Sequence, residues 1–362
     1  SLVGSEMCIR DRYSLLNNET ASYNTAVGAG SLQSSTTGTQ NVAVGYNALY
    51  TSTTADKNTA VGYYALTSST TGSQNTAVGY DALGDNTTGV GNVAIGDRAL
   101  QVSSTGTGNV AMGLYSLNSN TTASYNTAVG RQSLNANTTG ANNVAIGNDA
   151  LAANTTASNN TAVGHRAMLV STTGTENVAV GRGSLEDNTT GSSNVAVGNH
   201  SLRDNTTASS NTAVGHDSLA LNTTGYENVA VGKGALQSNT TGFVNIAIGA
   251  EALDANTTGD KNVAIGKGAL GGNTTADANV AIGWDALLAN TTGSENTAVG
   301  AQALTNAVTD DANTAIGYRA LESANGAGYC TAVGSRCLED TTTGDNNTAV
   351  GYNALHANTE GT

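Results

Sequence analysis

Asn41-Val42-Ala43-Val44-Gly45, completed by Ala48 and Leu49 after two variable residues, decides the fold. The same spacing returns at Asn58, Asn75, Asn92 and Asn109 and runs on to Asn347, always seventeen residues later. Counted from Asn24 there are twenty copies, with no insertion or deletion between them. A fixed period of this length marks a stacked repeat, in which each unit buries its apolar face against the next. The expected fold is all-β: a parallel β-solenoid, or β-roll, of 17 residues per coil and about 20 coils.

With the asparagine of each coil as position zero, the columns separate cleanly. Position one is Thr in ten coils and Val or Ile in ten; position two is Ala in all twenty. Position three is Val, Ile or Met, and position four is always Gly. Positions five and six vary freely, as in Tyr46-Asn47, Asp97-Arg98 and Trp284-Asp285. Position seven is Ala or Ser except at Cys337, and position eight is Leu except at Met168. Period-two alternation puts positions one and three on one strand face, expected to be the interior. Gly at position four suits a tight corner or a positive φ. Leu at position eight is expected to sit in a second short strand on the opposite wall. Asn86-Thr87-Thr88-Gly89 and its equivalents are turn chemistry, with Asn able to bond its own backbone. One coil buries too little apolar surface to offset its ordering, so only stacking makes it stable.

Stacking turns each recurrent position into a file of like side chains about 4.8 Å apart. Twenty-odd coils at that spacing span on the order of 100 Å. The position-zero asparagines are placed to bond amide to amide along the file. Nineteen of twenty coils keep them; Cys330 is the exception. The turn Ser323-Ala324-Asn325-Gly326 is also atypical, so residues 305–329 are where the stack should be least regular.

The chain is acidic, with a net charge of −14 from 27 acids against 13 bases, and its few Lys and Arg are not clustered. Tracking a phosphate backbone needs such clustering, so nucleic acid is not an expected partner. No apolar run approaches membrane-spanning length, and no secretion signal is legible. Residues 1–12, Ser-Leu-Val-Gly-Ser-Glu-Met-Cys-Ile-Arg-Asp-Arg, fit no coil and resemble the read-through translation of a sequencing adapter. They are expected to be a non-native leader containing Cys8. Residues 13–362 are expected to form a single solenoid domain, a fragment truncated at both ends.

Asn92-Val93-Ala94-Ile95-Gly96, with its repeats at Asn143 and Asn262, is similar to the head repeat of trimeric autotransporter adhesins. That resemblance implies a left-handed parallel β-roll, a homotrimer, extracellular display on a bacterial outer surface, and adhesion. The partner would be a host-cell surface, extracellular matrix or surface glycan. The wider pattern, running Asn-Thr-Ala-Val-Gly-Tyr at Asn58 and closing on Asn-Thr-Thr-Gly, resembles repeats of phage and environmental tail-fibre-like proteins. That likeness implies a virion fibre. The period here is longer than that of the adhesin head, so each coil must hold extra turn or strand.

Enzymes on stacked coils need convergent acids or bases in a groove. Here carboxylates fall at variable positions without recurrent pairing, so neither catalysis nor a cofactor is expected. His200 and His216 lie in adjacent coils, but no third ligand recurs beside them, and solvated surface histidine is the favoured reading over a metal site. Cys330 and Cys337 share one coil; two buried thiols are favoured over a disulfide. Tyr46, Tyr63 and Tyr80 occupy position five of consecutive coils, with Tyr64 and Tyr115 at position six nearby. They are the candidate surface-binding strip for a sugar or a partner, weighed against a stacked ladder that merely stabilises the roll. Asn-Thr-Thr occurs eleven times, and glycans on every copy of so tight a file would not fit. The alternative function from another class is a soluble ice-binding or carbohydrate-binding module. An ice-matching face would want Thr at alternate positions of one strand, whereas Thr87 and Thr88 are adjacent.

The invariant alanines, Ala26, Ala43, Ala60 and their equivalents, follow from the same alternation. If positions one and three face inward, Ala faces outward, where a residue free to vary would vary. Two explanations stand: a subunit interface running along the Ala file, or a roll so narrow that Ala lies inside and Val outside.

Overall fold

The computed structural model describes residues 9–10 and 13–361; most of the expected leader, Cys8 included, lies outside the described residues. The chain divides into two compact units, residues 1–177 and 178–362. Both are built from three-residue parallel strands, one per coil, and no helix occurs among the described residues. In the first unit β1 (Ile9–Arg10) pairs with β2 (Thr25–Val27), and strands follow in chain order to β10 (Thr161–Val163). Ile9 and Arg10 thus fall in register with Ala26 and Val27, although residues 1–12 show no repeat motif. The second unit runs from β11 (Val178–Val180) to β21 (Thr348–Val350). Every pairing joins residues seventeen apart, as in Ala43 with Ala60 and Ala247 with Ala264, so each unit is a parallel β-solenoid.

The ladder continues past the strands. Val42 donates its N–H to the Asn58 carbonyl of the next coil, and Gly45 donates to the Val27 carbonyl of the preceding one, both at 2.8 Å. Gly45 holds φ at 136°, and a Cβ there would meet the Gly62 carbonyl oxygen at 2.3 Å. Position four therefore admits only Gly, as the corner suggested.

The opposite wall differs from the expected second strand. Residues 46–51 form a turn, in which Asn47 and Leu49 have φ of 53° and 51°. Left-handed non-glycine residues recur at positions six, eight and sixteen throughout the described coils. Each such residue costs roughly 1–2 kcal/mol. Inter-coil hydrogen bonding offsets that cost: Asn47 N–H donates back to Ala29 O at 3.0 Å, and Leu49 N–H donates forward to Ala65 O at 3.1 Å. The alternation of backbone handedness lets a turn pair with its neighbours much as a strand does.

The strand faces are the reverse of the expected arrangement. Ala26, Ala43, Ala60 and nearly all their equivalents have no exposed surface, whereas the flanking residues at positions one and three are half-buried or exposed. The interior of each coil holds Asn at position zero, Ala at two, Ala or Ser at seven, Leu at eight, Asn or Ser at eleven and Gly or Ala at fourteen, with few exceptions. Two amide files share that space with the Leu file, leaving room on the strand wall for a methyl group only. The narrow-roll explanation holds, and the Ala file is not a surface. Replacing Ala230 with Lys should therefore lose more than about 4 kcal/mol, the cost of an unpaired charge in a packed core. Val231→Lys, one residue on, should leave the far-UV circular dichroism intact. Denaturant melts of the two variants check the polarity of the strand.

Candidate functional site

The corner after Gly at position four projects the residue at position five outward, and the inter-coil register stacks successive copies. Tyr46, Tyr63 and Tyr80 form one column, with ring centroids 5.1 and 5.6 Å apart and interplanar angles of 20° and 7°. Tyr64 packs edge-on against Tyr63 at 4.4 Å and against Tyr46 at 5.6 Å. Tyr115 joins through a residue that the sequence did not single out. The Arg98 guanidinium lies 5.5 Å from the Tyr80 ring and 5.7 Å from the Tyr115 ring, and donates to the Tyr115 hydroxyl at 2.7 Å. All five expected residues thus belong to one surface, closed by Arg98 in a cation–π contact.

Electrostatics follow from this packing. A hydrogen bond with Tyr64 is the first cause raising the Tyr63 phenol above its usual range, followed by desolvation and its tyrosine neighbours. The hydrogen bond to Tyr115 is the first cause stabilising the Arg98 cation. Beside them, Gln101 Nε2 donates to Asp81 Oδ2, while burial pushes the Asp81 carboxyl up. Both faces of the Tyr63 ring are covered by its neighbours. A sugar that binds by stacking needs an open face, which Tyr63 does not offer; it presents its ring edge and hydroxyl. A second stack, missed in the sequence, pairs Tyr226 with Phe243 at 4.9 Å and 5°. Both stand at position fifteen, and a search of that column would have found them.

A larger surface was hidden by the inverted strand. Position three puts an aliphatic file on the outside of each unit, and position one sets beside it a file mixed from Thr, Val and Ile. Ile95, Met112 and Ile146 are exposed in the first unit, and Ile246, Ile248, Ile265, Ile282 and Ile316 in the second. Contiguous apolar stripes of this kind mark interaction surfaces. On the turn side, position thirteen is an exposed Thr in every coil from Thr37 to Thr309. Position fourteen points inward and position fifteen outward, so Thr37 with Thr39 and Thr105 with Thr107 share a face. The position-twelve hydroxyls are spent internally, Thr87 Oγ1 donating to Ser104 O at 2.9 Å and Thr240 to Thr257 at 3.0 Å.

His200 and His216 meet at Asp217, their Nδ1 atoms 3.8 and 3.0 Å from its two carboxylate oxygens. Among the described residues no three His, Cys, Asp or Glu side chains gather to hold a metal ion. Cys330 and Cys337 are free, buried thiols, both pushed up first by burial. No helix among the described residues is long and apolar enough to cross a membrane. No protein-family model and no curated protein matches the chain.

Stacked ring pairs contribute roughly 0.5–1.5 kcal/mol each beyond their area. Tyr63→Ala removes two stacked pairs and the edge-on contact with Tyr64, and thermal melts should show a lower melting temperature; an unchanged melt would strip the column of energetic weight. The carboxyls of Asp81, Asp254, Asp260, Asp310 and Glu322 are all raised, each first by burial. A raised carboxyl binds its proton more tightly folded than unfolded, so its contribution is present below the unfolded pKa and lost as pH rises through the folded one. The melting temperature should therefore climb as pH falls from neutrality into the carboxylate range, which calorimetry across that window checks.

Proposed function

We propose that the chain is a segment of a structural or adhesive surface fibre, assembled as a homotrimer. Three copies would meet through the aliphatic file at position three, flanked by the mixed Thr and aliphatic file at position one. The exposed Ile and Val columns carry this reading: an apolar stripe repeated on every strand is costly to leave in water, and a second and third copy supply a matching surface. The resemblance to adhesin heads and tail-fibre repeats supports the same assembly. Variable residues at positions five and six would then be displayed outward for a host-cell surface, matrix or surface glycan, in an extracellular setting on a bacterial cell or a virion. The chain has no catalytic part in this reading.

Ile248→Lys, Ile265→Lys and Ile282→Lys together place three charges on one file. Sedimentation equilibrium should give a trimer for the parent chain and a folded monomer for the variant. A parent chain that stays monomeric at high concentration would overturn the proposal. The exposed Thr column favours one second reading, a soluble ice-binding module. Thermal hysteresis by a monomeric chain would select it.

A further inference from the structure

The two coils between Thr305 and Tyr329 depart from the repeat in a way that assembles a reactive group. Position fourteen is Gly or Ala in every other coil, but here it is Asp310. The register that buries a methyl or a hydrogen elsewhere buries a carboxylate: Asp310 is only 5% exposed. Its Oδ1 accepts the backbone N–H of Gly326 at 2.6 Å, while its Oδ2 has no partner among the described residues. Gly326 follows Asn325, and this is the only Asn-Gly step in the chain. Both residues are exposed, and Gly326 sits at φ 106° with no Cβ to hinder approach to its nitrogen.

We propose that Asn325 is a self-modification site, deamidated by attack of the Gly326 nitrogen with Asp310 as the base. The Gly326 N–H lies in the peptide plane and points at the carboxylate. Attack on the Asn325 side-chain carbon uses nitrogen density out of that plane, so the hydrogen bond and the new N–C bond are compatible. Asp310 takes the proton as that bond forms and returns it to the departing amide nitrogen, which leaves as ammonia. Water then opens the five-membered imide at either carbonyl, leaving an α-linked or a β-linked aspartate at position 325. Desolvation by burial raises the Asp310 carboxyl and strengthens it as a base. The product places a further negative charge beside Asp310, Asp311 and Asp345. The β-linked form also lengthens the main chain by one carbon within a fixed seventeen-residue register. Ageing would therefore loosen this junction while other coils, with Gly or Ala at position fourteen, keep theirs.

Peptide mass spectrometry of the folded chain held at physiological pH and temperature tests this directly. The amide-to-acid mass gain and β-linked product should accumulate at Asn325 ahead of every other asparagine. Asp310→Gly restores the residue of the preceding coil, Gly293, and should fold; Asp310→Asn keeps an acceptor but not a base. Both should slow the reaction roughly a hundredfold, the low end of what a positioned base supplies. In urea, parent and variants should react alike. A folded parent chain no faster than its urea-unfolded form, or either folded variant retaining the parent rate, would overturn the proposal.

Discussion

A side-chain amide that substitutes for a strand is the interaction on which the rest depends. At position zero each Asn Oδ1 accepts the backbone N–H of the next coil's Asn, at 2.8 Å from Asn41 to Asn24 and 2.9 Å from Asn58 to Asn41. Its Nδ2 reaches the position-fourteen carbonyl, as Asn75 does to Gly89 at 2.9 Å. A buried donor or acceptor left unpaired costs about 1–3 kcal/mol. Each Asn therefore answers for two backbone groups that the bend leading into the strand would otherwise orphan. Cys330 shows what the position requires: its N–H still donates to Asn313 Oδ1 at 2.8 Å, and its Sγ contacts the Gly344 carbonyl at 3.1 Å.

A second amide file, at position eleven, explains why the coil is so thin. Asn239 Nδ2 donates to Asn222 Oδ1 at 2.8 Å and to Gly242 O at 2.9 Å, tying coil to coil and closing its own turn. The file fails where the next residue changes. Asn86, Asn154 and Asn290 face Ser103, Ser171 and Ala307, and each is left with an unpartnered Oδ1. With two amide files and a Leu file inside, the strand wall contributes Ala alone, and its larger residues are displaced outward. The external apolar stripe and the polar interior thus have one origin.

The irregular junction follows the same reasoning. Ala307 and Ala324 interrupt the second amide file, Val308 and Asn325 interrupt the Thr file, and Asp310 enters the interior. The strands on either side, Thr297–Val299 and Thr314–Ile316, still pair in register. Strand pairing is carried by the backbone and survives the loss of side-chain ladders.

The sequence by itself determined the period, the parallel stacking, the glycine corner, the Leu file, the file of position-zero asparagines and the alignment of Tyr46, Tyr63 and Tyr80, although those asparagines bond mainly to backbone groups where the spacing suggested amide to amide. All of these depend only on which residues recur every seventeen, because identical spacing forces identical environments. Tertiary structure decided which face of the strand points inward, since alternation assigns Val and Ala to opposite faces without saying which is the inside. It also decided that Leu sits in a left-handed turn, since φ is chosen by hydrogen bonds to the coils above and below. Arg98 and Asp310 acquired their roles in the same way. Each is a single departure in a variable or near-invariant column, and its partners, Tyr80 and Tyr115 for one and Gly326 for the other, are set by stacking distance between coils, which only the folded chain displays.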